Sequence, residues 1–151
     1  MTHLSLGVPP SESLLVDVLV QAYRATLYRV DAPEPFVLRV DEHSPELAAL
    51  LTAHRSSSAL FITAWNPYSE PHSQADNEVG QQALKSAFAE ENLAPVFLGI
   101  GVDPEGAWPG EESFLVLGAD FECAHRLALK FRQNAFLWAG HDAIPRLVLT
   151  R

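Results

Sequence analysis

Residues 59–69 read ALFITAWNPYS, and the first six of them decide the fold. A strand with one wet face alternates apolar and polar side chains, whereas a strand covered on both faces reads as a continuous apolar run. Residues 59–64 are therefore predicted to form the central strand of a sheet with structure layered on either side. A polar loop follows, and Ser73-Gln74-Ala75-Asp76 has the spacing with which a serine caps a helix. That helix is predicted to stop near Asn92 and to bury Val79, Ala83, Leu84, Ala87 and Phe88.

Outward from this unit, residues 95–100 and 112–117 read as strands. Asp103-Pro104-Glu105-Gly106 between them suits a type I turn, so the two should pair as an extended hairpin. Asp120 caps a helix with Phe121, Ala124, Ala128 and Phe131 on one face, ending near Gln133, and residues 135–138 and 146–149 are further strands. From Leu60 to Trp138 the order is strand, helix, strand, strand, helix, strand. This is an α+β class with a ferredoxin-like split βαβ core; an open mixed α/β sheet is the alternative. Ahead of the core, a helix is predicted from Ser11 to about Tyr28, then a strand at residues 36–40. A short helix follows, capped by Ser44 with Pro45 at its first position and running through about Ala53. This helix-strand-helix is an N-terminal elaboration. Residues 1–10, with Pro9 and Pro10, read as a flexible lead-in, and residues 11–151 as a single α+β domain.

The composition narrows the function classes. With 10 Lys and Arg against 19 Asp and Glu, the formal net charge is -9. That field repels phosphate backbones and anionic lipid, so no nucleic acid partner is expected. No apolar stretch approaches the ~18 residues of a spanning helix, so no membrane partner is expected either. Cys123 is the single cysteine, which suits a reducing compartment, and no Lys or Arg precedes Arg24 to form the charged start of a secretory signal. The expected localisation is cytoplasmic.

In the split βαβ topology three loops meet at one end of the sheet: residues 65–73, residues 101–113 and Gln133-Asn134. They carry Trp65, Asn66, Tyr68, Ser69, Trp108, Glu112, Ser113, Gln133 and Asn134, with Asn77 on the helix that follows the first loop. Such a set can stack a flat molecule and hydrogen-bond its edges. The expected function is binding of a small polar or aromatic ligand in a cleft there. A non-enzymatic protein–protein interaction module using the same aromatic loops is the alternative. The tryptophans could equally roof the core, with Asn66-Pro67 and Asp103-Pro104 as turn formers.

The segments ITAWNPYS, GVDPEGAWPGEES with FLVLG after it, and FRQNAF, together with Asn77, resemble the signature blocks ITAWNP, WPxEES and QNAF of an uncharacterised bacterial domain family of unknown function. The resemblance spans roughly residues 23–140. It implies a bacterial origin and one shared domain, and it brings no activity, cofactor or catalytic residue with it.

The residues assign no reaction. Glu111 and Glu112 are strand neighbours on opposite faces, so they do not form a facing acid pair, although one of them can face the cleft. His72 and Asp41-Glu42-His43 match no metal-ligand spacing, and no metal is assigned. Gly99-Ile100-Gly101 lacks the third glycine and the helix of a dinucleotide-binding turn. Cys123 has acidic neighbours that hold a thiol protonated. Ser113, His72 and Glu112 supply the residue types of a triad without its G-x-S-x-G elbow. Cofactor, oligomeric state and enzymatic character stay open at this level.

Overall fold

The computed structural model describes residues 10–150 of the chain. The expected lead-in lies outside them except for Pro10, where the first helix already begins. In chain order the elements are α1 (Pro10–Ala25), β1 (Leu27–Val30), β2 (Phe36–Leu38), α2 (Pro45–Ala53), β3 (Ala59–Ile62), α3 (Gln74–Glu90), β4 (Val96–Val102), β5 (Glu111–Leu117), α4 (Phe121–Lys130), β6 (Ala135–Ala139) and β7 (Arg146–Leu149). The seven strands form one sheet in the order β2-β1-β4-β5-β3-β6-β7, with every neighbouring pair antiparallel.

All four residues of β3 are buried, as its apolar run requires. Leu60 and Ile62 pack on one face with Leu84 and Phe88 of α3 and Ala124 and Leu127 of α4. Ala59 and Phe61 pack on the other with Leu115, Leu137, and Leu47 and Leu51 of α2. The prediction of a central β3 needs correction, because the middle position of seven belongs to β5. The reason is β1, which pairs with β4 from Leu27↔Val102 to Val30↔Gly99 and carries β2 on its far side. Its first two residues, Leu27 and Tyr28, were expected in the first helix. The helix instead stops at Ala25, where Thr26 bonds back to the Ala22 carbonyl at 2.6 Å, and the β-favouring Tyr28 and Val30 turn inward.

The helix caps follow the sequence. Ser44, Ser73 and Asp120 accept from the amides of Leu47, Asp76 and Cys123. The buried faces differ in part. Helix α3 leaves Val79 69% exposed and Ala83 at the surface, and buries Asn77, Gln81, Leu84, Ala87 and Phe88. Two amides sit on that face because the sheet end has unpaired backbone groups to satisfy. Helix α4 buries Cys123 and Leu127 beside Ala124 and Ala128, and Phe121 stays near the surface, edge-on to Trp138 at 5.6 Å. The strand expected at residues 36–40 is paired only over Phe36–Leu38.

Two glycines in β4 shape the face opposite α3 and α4. A β-carbon on Gly99 would stand 2.7 Å from the Phe61 ring and 2.9 Å from the Arg29 carbonyl, so only glycine lets that ring lie across β4. There it meets Tyr28 in an edge-to-face pair with centroids 5.2 Å apart. Gly101, two residues on, leaves the neighbouring space open.

Candidate functional site

The open space is a cavity of about 390 Å³. Its floor is the sheet face bearing Phe61, Leu137 and Tyr28, and Leu19, Ala22 and Tyr23 of α1 lie over it. Of the ten residues singled out from sequence, six line it: Trp65, Asn66, Ser69, Trp108, Ser113 and Gln133. Tyr68 and Asn134 line an adjoining hollow of about 690 Å³ on the other side of Tyr23. Asn77 and Glu112 line neither.

Hydrogen bonds fix the loops that carry these side chains. The Gln133 amide donates to the Trp65 carbonyl at 3.4 Å, and the Tyr68 N–H donates to the Arg132 carbonyl at 2.6 Å. Ser69 Oγ meets both the Tyr23 hydroxyl at 3.1 Å and the Asn134 amide at 3.0 Å, joining α1 to the first and third loops. Where β3 and β5 part, Gln81 accepts from the Ala64 N–H and donates to the Glu112 carbonyl, to which Thr63 also donates. Glu112 thus contributes its backbone while its side chain is exposed.

Asn66 is the pivot of the first loop. Proline at position 67 predicts an extended Asn66, but its backbone is left-handed at φ 46, ψ 67. The steric preference is outweighed by a reciprocal pair with buried Asn77. The Asn66 N–H donates to Asn77 Oδ1 at 2.8 Å, and Asn77 Nδ2 donates to Asn66 Oδ1 at 2.9 Å. His72 N–H also donates to Asn66 Oδ1. Tyr68 and Ser69 share the positive φ. Three non-glycine residues in this region within one turn are held by surrounding bonds, a pattern that clusters where loops serve ligands.

With its oxygen so committed, the Asn66 amide turns toward Glu111. Glu111 and Ser113 share one face of β5 with the cavity, and Glu112 points away. Burial pushes the Glu111 carboxyl up from its ordinary value of 4.5, and the hydrogen bond from Asn66 partly opposes this. Among the described residues lining the cavity there is no Lys, Arg or His, so Glu111 is its single ionisable carboxyl without a countercharge. Its folded-state affinity for a proton exceeds that of the unfolded chain, so stability falls as pH rises from the ordinary carboxyl value to the raised one, and the loss is complete above it. Glu111→Gln is therefore expected to unfold at higher denaturant than the parent near neutral pH, with the gap closing below the ordinary value. Midpoints across a pH series measure this, and a variant that is weaker at every pH would refute it.

The sequence reading let one of Glu111 and Glu112 face the cleft but singled out Glu112, and it missed Phe61, Tyr28 and Gly101 on the sheet, Thr26 beside them and the roof residues Leu19 and Tyr23. The alternation of Tyr28 and Val30 after Thr26 was the available signal for β1 and hence for Tyr28. Ser113 lines the cavity, His72 the adjoining hollow and Glu112 neither, so these three are not assembled as a triad. Cys123 is buried on the inner face of α4, where burial and then Glu91 push its thiol up. Among the described residues no group of three or more His, Cys, Asp or Glu could hold a metal ion, and no helix is long and apolar enough to cross a membrane.

Over the described residues, fold and site together define a mixed α+β protein of four α-helices and a seven-stranded antiparallel sheet, with a cavity between the sheet and α1. Residues 62–136 match an uncharacterised domain family, described as Protein of unknown function (DUF3293). No curated protein and no solved structure matches the chain. The matched span holds both tryptophan loops, Glu111 and Gln133, whereas α1, β1 and Phe61 lie before it.

Proposed function

We propose that this protein binds a small molecule with a flat or apolar body and a polar edge in the cavity beneath α1. The observation that carries the reading is the cavity itself. Its floor and roof are apolar, and Asn66, Glu111, Ser113 and Gln133 converge on it with their loops tied down, which is the composition of ligand sites. A protein-partner surface on the same aromatics would need Trp65 and Trp108 turned outward, and both are half-buried against the cavity. The binder is read as one domain over residues 11–151 of a cytoplasmic bacterial protein. One sheet running from β1 through β7 and the single cysteine support that reading, as does the resemblance of its sequence blocks. A ferredoxin-like core within the sheet is supported by the order β4-β5-β3-β6.

Gly101 supplies the test. A β-carbon there would sit 3.5 Å from Thr26 Cγ2 and 4.0 Å from Tyr28 Cδ1, ordinary contacts, so a longer side chain enters the cavity without pressing on backbone. In a thermal-shift screen of metabolites and nucleotides, a ligand at 100 times its Kd adds about 2.7 kcal/mol of apparent stability. A compound that stabilises the parent is expected to leave Gly101→Leu unshifted while the variant's own melting is retained. Equal shifts in both proteins would place binding elsewhere, and a screen with no shift in the parent would end the proposal.

A further inference from the structure

Resting on the reading of the cavity as a ligand site, we infer that it selects small organic cations: a protonated amine set against the Glu111 carboxylate, with an apolar or aromatic body between Phe61 and α1. Every described residue that lines the cavity is neutral except Glu111. A phosphate or carboxylate ligand would meet an uncompensated like charge with no Lys, Arg or His to receive it, and burying such a pair is unfavourable. An ammonium supplies the missing countercharge and up to three donors. It meets acceptors in Glu111 and in the Ser113 hydroxyl, and the lining also holds Trp65 and Trp108, the side chains whose rings attract cations most strongly. The other titratable groups lining the cavity are the phenols of Tyr23 and Tyr28. Burial pushes the Tyr28 phenol up, its hydroxyl donates to the Tyr23 carbonyl at 2.6 Å, and it stays neutral where an amine is charged. Because Glu111 holds its proton more tightly than an ordinary carboxyl, an arriving cation drives that proton off.

Three probes of nearly one shape separate the possibilities: phenethylamine, 2-phenylethanol and phenylacetate, titrated calorimetrically into the parent, Glu111→Gln and Gly101→Leu. The amine is expected to bind the parent at least about tenfold more tightly than the alcohol, with the anion weakest. At about pH 5, near the ordinary carboxyl range, its binding is expected to release protons, read from heats in buffers of different ionisation enthalpy. Glu111→Gln is expected to lose both the preference and the proton release while still binding the alcohol. Equal affinities, a tighter anion, or a preference that survives Glu111→Gln overturns the cation inference. The cavity reading then stands if Gly101→Leu abolishes whatever binding is seen. Absence of binding by all three probes overturns the cation inference too, and the broader screen then decides whether the cavity is a site at all.

Discussion

Phe88→Ala is expected to remove about 3–5 kcal/mol of stability, the range for deleting a fully buried aromatic side chain. The ring has no exposure and stands edge-on to Phe114, with centroids 5.7 Å apart and planes at 87°. It joins the last turn of α3 to the sheet between Leu60, Ile62 and Leu84, which are all but fully buried themselves, so the hole left behind has little freedom to collapse. Small domains hold only about 5–15 kcal/mol in total, so the variant sits close to unfolding. Urea denaturation should show a lower midpoint with an unchanged slope. Because Phe88 and the cavity lie on opposite faces of the sheet, whatever protein remains folded should bind as the parent does. An unmoved midpoint would contradict the packing of α3 described above.

Asn77→Ala is expected to cost on the order of 3 kcal/mol, although it removes only a few atoms from the first turn of a helix. Asn77 is 3% exposed, and its amide group makes bonds to the Asn66 N–H, Asn66 Oδ1 and the His72 carbonyl. Alanine leaves the backbone donor of Asn66 without its partner next to a proline that cannot help. It also releases the left-handed turn through Ser69. The loss should therefore be local as well as global: the Asn66 amide, bonded to Asn77 Oδ1 in the parent and expected to exchange slowly there, should exchange at rates near those of open chain in the variant. Full protection of that amide in Asn77→Ala would show that the reciprocal pair is not what holds the loop.

Legibility followed the range of the interactions involved. Ser44, Ser73 and Asp120 were readable as caps because a cap is a contract between residues three apart, and the β4–β5 hairpin was readable because its turn residues lie between its strands. The burial of β3 was readable from its own six residues. What failed depended on distant partners. Tyr28 looks helical until β4 is there to pair with, and without β1 there is no reason to place α1 over a cavity. The choice between Glu111 and Glu112 rests on where β5 starts, and a shift of one residue exchanges the faces. The backbone of Asn66 was misjudged because the steric rule for a residue before proline is local, while the Asn77 side chain that overrides it comes from the next helix. Val79 was misplaced on α3 for a related reason: hydrophobicity predicts the buried face only where the surface opposite has no polar groups to satisfy, and here Gln81 meets the Ala64 N–H and the Glu112 carbonyl.

The order of the strands also sets a timetable. Hairpin β4–β5 closes over a short stretch of chain, but Leu27 must wait for Val102, and Phe61 for Leu137, before the seams between them can form. Contacts so far apart in sequence are slow to find one another. On a ribosome adding about 5–20 residues each second, β1 has only β2 to pair with until β4 emerges, and β3 holds only one finished edge until β6 follows. The floor of the cavity is thus among the last surfaces this chain completes, and until then Phe61 and Tyr28, the two rings that later shelter each other, lack the strands β4 and β6 that finish the sheet around them.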